Sequence, residues 1–97
     1  MMNRKQILET IADHREELAS LGVKSLSLFG SSARDDAVEE SDVDLLVEFS
    51  EPVGLFKFLD VKDSLEEWLR RKVDLVTPDA LKRQLRERIL AEAVHVL

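Results

Sequence analysis

With 97 residues, 44% of them hydrophobic and 35% charged, the chain has the composition of one globular domain with a modest core, spanning residues 1–97. The absence of cysteine excludes a disulfide scaffold, a thiolate zinc site and a cysteine nucleophile, and the formal charge of −6 disfavours a nucleic-acid partner. No apolar run approaches the roughly 20 residues that span a bilayer, and the first residues lack the apolar core of a signal peptide, so the expected setting is cytoplasmic with no membrane contact.

Asn3 followed by Gln6 has the spacing of a capping box, and Ile7, Ile11, Leu18 and Leu21 recur at helical intervals. This predicts a helix over 4–21, ended by Gly22, with His14 on the buried stripe as a structural residue. Residues 23–29 alternate as a strand, and Gly30-Ser31-Ser32-Ala33-Arg34 reads as a tight turn opening a short helix. A second, largely apolar strand follows at 43–49. Pro52 and Gly54 precede a helix over 55–71, expected to turn Leu55, Phe58, Leu59, Leu65, Trp68 and Leu69 inward. Phe56, Phe58 and Trp68 fit core packing better than a partner surface. A third strand is expected at 73–76, then a helix over 78–92 entered through Thr77-Pro78. Residues 94–97 fit either an extension of that helix or an edge strand. The order α-β-α-β-α-β-α implies an α/β chain with a small sheet covered by helices.

Charge is concentrated. Between Asp35 and Glu51 stand eight acidic residues and no Lys or Arg. Such a stretch repels phosphate-rich polymers, attracts cations, and in most proteins is a solvated loop. Asp42 and Asp44 depart from that ordinary reading because they lie in or beside an apolar strand. Residues two apart on a strand point to one face, so both carboxylates project together while Val43 and Leu45 face the other way. Paired carboxylates with few other ligands suit Mg²⁺, which completes its shell with water and phosphate oxygens. A calcium loop does not fit, since the third oxygen ligand and the following glycine are missing.

Asp74 also interrupts an apolar strand, between Val73 and Leu75. It would either join Asp42 and Asp44 on a three-carboxylate face or pair with Arg70, Arg71 or Lys72. The Gly30-Ser31 turn is similarly open. Gly-Ser is common in turns, yet glycine also lets backbone approach a ligand closely, and a following helix start favours phosphate. Ser31 would add a hydroxyl donor and Arg34 a guanidinium. No Walker loop or Gly-x-Gly-x-x-Gly string is present.

Gly30-Ser31, ten intervening residues and Asp42-Val43-Asp44 together resemble the Gly-Ser-x10-Asp-x-Asp signature of the polymerase-beta-like nucleotidyltransferase superfamily. The fuller strings Leu28-Phe29-Gly30-Ser31-Ser32-Ala33-Arg34 and Ser41-Asp42-Val43-Asp44-Leu45-Leu46-Val47 resemble the minimal nucleotidyltransferase (MNT) family. Likeness extends through Val73-Asp74-Leu75-Val76 to Arg88-Ile89-Leu90 and Ala93-Val94. One departure is Asp35, where the family usually has glycine.

The resemblance implies a polymerase-beta-like fold, a small mixed β-sheet with flanking helices. It also implies a Mg²⁺-dependent antitoxin that transfers AMP from ATP to a tyrosine hydroxyl of a HEPN-domain ribonuclease toxin, with which it would form a hetero-oligomer. On that basis Asp42, Asp44 and Asp74 are the expected catalytic residues and ligands of two Mg²⁺ ions. Asp74 would also help deprotonate the acceptor. Gly30, Ser31 and Arg34 are the expected nucleotide-binding residues. Two rival readings are an MNT-like antitoxin that acts by direct binding without transfer, and a nucleotidyltransferase acting on a small molecule. The latter normally needs a second domain to shape its acceptor site.

Overall fold

The computed structural model describes residues 3–30, 42–80, 87, 89–91 and 93–97. Helix α1 (Arg4–Asp13) starts with the capping box expected of Asn3 and Gln6. The Asn3 side chain accepts from the Gln6 N–H and the Gln6 side chain accepts from the Asn3 N–H, both at 2.9 Å. The helix expected to run through residue 21 breaks at His14, and α2 (Arg15–Ser20) follows. At the break the His14 backbone leaves helical geometry (φ −104°, ψ 17°), while its ring stacks on Trp68 with centroids 3.9 Å apart and parallel planes. Its Nδ1 lies 3.2 Å from the Glu17 carboxylate. The half-buried, structural role expected of His14 is therefore what the fold shows. Gly22, with φ +90°, ends α2 as expected.

Strand β1 (Val23–Phe29) leads toward β2 (Val43–Phe49), and α3 (Leu55–Leu69) carries the chain back to β3 (Val73–Val76). Pro78–Ala80 form a 3₁₀ turn, residues 87 and 89–91 are helical, and the rest of the expected 78–92 helix lies outside the described residues. The open question at the C-terminus resolves as a short strand, β4 (Val94–His95). The sheet order is β3-β2-β1-β4, with β1 antiparallel to both neighbours and β2 parallel to β3. The sheet is mixed.

Three helices cover one face of it. Ile7 and Ile11 of α1, Leu18 of α2 and Val61, Leu65 and Leu69 of α3 form a single core with Leu26, Leu28, Val43, Leu45, Val47, Val73 and Leu75 of the strands. Fully burying each such side chain stabilises the fold by about 1.5–3 kcal/mol. A register shift at Lys24 lets Val23 and Leu26, three apart, both reach this face. Leu55 and Leu59, expected to turn inward, are instead exposed, and Val61 takes the buried place. The stripe that meets the sheet is Val61-Leu65-Leu69, spaced by four, and Leu55 and Leu59 fall off it. The helix also stops two residues early, at Arg70 in left-handed geometry (φ 55°, ψ 36°). Among the described residues no helix is long and apolar enough to cross a membrane.

Candidate active site

Because Val43, Leu45 and Val47 point into the core, Asp44 must point to the opposite face of β2, while Asp42 lies one residue before the strand begins. Asp44 is half-buried and Asp42 is exposed. The antiparallel pairing sets Phe29 opposite Asp44, and the parallel pairing sets Asp74 beside Asp44 on its other flank. Asp74 is exposed. The two strand starts are tied by a hydrogen bond from the Val43 N–H to the Lys72 carbonyl, 2.9 Å long. Two acidic residues far apart in sequence thus become lateral neighbours through register alone.

Gly30 follows Phe29 and closes against the same carboxylate. Its φ of +71° lies where side chains are strained, and a Cβ placed there would collide with the Asp44 carboxylate and lie 3.1 Å from its Cγ. Only glycine brings the backbone this near to Asp44. A site that sets bare backbone beside hard oxygen donors can receive a phosphate and a divalent cation together.

Of the residues expected here, the structure brings Gly30, Asp44 and Asp74 side by side, and Asp42 precedes β2 by one residue. Ser31 and Arg34 lie outside the described residues, as does Asp35. Asp44 and Asp74 share a face, and among the described residues no three acidic or histidine side chains are gathered as a ready metal site.

Sequence reasoning missed Glu66, whose side-chain Oε2 accepts from the Val73 N–H at 2.9 Å. No motif marks it, since the contact depends on how α3 turns into β3. A cavity of about 700 Å³ lies elsewhere, at the opposite end of the sheet, lined by Lys24, Glu48, Phe49, Glu51, Phe58 and Asp79 among others, with apolar and charged residues mixed and without Asp44 or Asp74.

Residues 9–96 match the model of the nucleotidyltransferase domain. The chain belongs to the nucleotidyltransferase family. The protein adenylyltransferase MntA of Thermococcus cleftensis is 38% identical over 97 residues, covering 99% of this chain and 98% of the relative. A structure solved as a candidate minimal nucleotidyltransferase superposes with a TM-score of 0.77 and 39% identity, over 96% of this chain and 95% of that one. The fold also recurs, at 17% identity and a TM-score of 0.68, in the complex of a tri-AMPylated HEPN toxin with its MNT antitoxin from Shewanella oneidensis. There the match covers 97% of this chain and 71% of the other. This nucleotidyltransferase therefore has the mixed four-stranded sheet and flanking helices anticipated for it.

Proposed function

We propose that this single-domain nucleotidyltransferase is an antitoxin that transfers AMP from ATP to a tyrosine hydroxyl of a partner HEPN ribonuclease toxin, neutralising it. The observation that carries this reading is the row Gly30–Asp44–Asp74, in which bare backbone stands beside two registered carboxylates. The name of the Thermococcus cleftensis relative supports adenylyl transfer to protein, and the composition of the Shewanella oneidensis complex supports a HEPN partner.

In this mechanism the Gly30 backbone, with Ser31 and Arg34, holds the triphosphate. Asp42, Asp44 and Asp74 would hold two Mg²⁺ ions, which when bound stabilise negative charge on the attacking and leaving oxygens. The acceptor oxygen forms a bond to the α-phosphorus as the bond from that phosphorus to the bridging oxygen breaks, and pyrophosphate departs. Asp74, at the exposed edge of the row, accepts the hydroxyl proton.

The test is intact mass measurement after incubating the protein and a HEPN partner with ATP and Mg²⁺. The expected result is a mass increase of the partner by whole AMP units, abolished by EDTA. A partner neutralised without any mass change would overturn the catalytic reading.

A further inference from the structure

Among the described residues β3 is an edge strand, so one side of its backbone pairs with β2 and no described strand lies on the other. The Val43 N–H reaches the Lys72 carbonyl on the inner side. In a parallel ladder the next residue, Val73, then directs its N–H outward. An outward N–H at a part-buried position needs a partner. Glu66 supplies it: its Oε2 accepts from the Val73 N–H at 2.9 Å, seven residues along the chain. The same residue's backbone carbonyl accepts from the Arg70 N–H at 2.8 Å, which closes the left-handed end of α3. Glu66 therefore binds both the end of the helix and the start of the strand.

We infer that Glu66 is a positioning residue for Asp74. The Lys72–Val73 peptide is held from inside through the Lys72 carbonyl and from outside through the Val73 N–H, one residue before the carboxylate that must meet the cation and the acceptor. A carboxylate at an edge strand has no second strand to fix its depth, and displacements near 1 Å cost on the order of a hundredfold in rate. The inference rests on the transfer reading above. It assigns Glu66 no contact with nucleotide or metal, only with the backbone that presents Asp74.

Two variants decide it. Glu66→Ala removes the acceptor, and Glu66→Gln keeps an uncharged one. In the alanine variant kcat for AMP transfer should fall about tenfold or more while the KM for ATP stays within about threefold, since nucleotide is held mainly at Gly30. The glutamine variant should recover to within about threefold of wild type. Amide exchange at Val73 should quicken at least about tenfold in Glu66→Ala and hold in Glu66→Gln. Broadening of the Asp74 amide signal by Mn²⁺ should weaken only in the alanine variant. Wild-type kcat in folded Glu66→Ala, unchanged Val73 exchange, or a glutamine variant as slow as alanine would each overturn the inference. If the wild-type protein transfers nothing, the proposed function falls on its own, and Val73 exchange with Mn²⁺ broadening still decides what Glu66 does.

Discussion

At one end of the sheet Asp44 and Asp74 lie side by side and Gly30 closes against Asp44, while at the other end Phe49 and Phe58 border a cavity whose lining also carries Lys24, Glu48, Glu51 and Asp79. Both ends are built from the same strands. The end with the cavity holds Phe49 and Phe58 at a centroid distance of 6.4 Å, and Phe56 on the first turn of α3 is exposed. The other has acidic residues at matching positions of two parallel strands, with a positive-φ glycine against one of them. The contrast teaches that one sheet sets different chemistry at its two ends: register and backbone approach gather carboxylates at one, and the entry to α3 with its aromatic rings lines a cavity at the other.

The difference between the ends can be broken by substitution, and the largest effect belongs to Asp74→Asn. It should lower AMP transfer by about 10²–10⁴, the range for loss of a positioned base, while the thermal midpoint stays near wild type because the side chain is exposed. Kinetics and a melt on one preparation check both halves. Near wild-type transfer would remove Asp74 from the chemistry.

Gly30→Ala should act on activity and stability together. The left-handed backbone costs an ordinary residue about 1–2 kcal/mol, and the new methyl must displace the Asp44 carboxylate. Transfer should drop at least about tenfold. Urea denaturation would show whether the stability loss matches the backbone term.

At the far end, Phe58→Ala should reverse the pattern. Half-buried against the core and Phe49, the ring should be worth about 2 kcal/mol of stability, at the low end for aromatic truncation. Transfer at a temperature where the variant is folded should remain at wild-type rate, and a proportionate loss would join the two ends functionally. The smallest effect is expected at Arg70→Gly, which relieves left-handed geometry but gains unfolded-chain freedom, for a net stabilisation of about 0.5 kcal/mol. A denaturant midpoint unchanged or lowered would show that the Arg70 side chain contributes to the turn.

Much was legible in advance where local chemistry decides. The capping box at Asn3 and Gln6, the left-handed Gly22 and the limits of β1, β2 and β3 follow from short-range rules, and each is found as expected. The break at His14 was not legible, because the periodicity of Ile7, Ile11 and Leu18 continues through it and the ring it stacks on belongs to Trp68, far along the chain. Leu55 and Leu59 misled for a related reason: helical spacing identifies a stripe, but where the helix meets the sheet decides which stripe is buried.

The candidate site divides the same way. Alternation within one strand determined that Asp44 turns away from the face of Val43, Leu45 and Val47, since the pleat repeats every two residues whatever the chain does elsewhere, while Asp42 falls just before the strand. That Asp74 stands beside Asp44, that Gly30 closes on the same carboxylate, and that Glu66 holds the strand presenting Asp74 were decided by tertiary structure alone. Register between strands and the angle at which a helix delivers its strand arise from packing the whole core, and no local stretch of sequence carries that information.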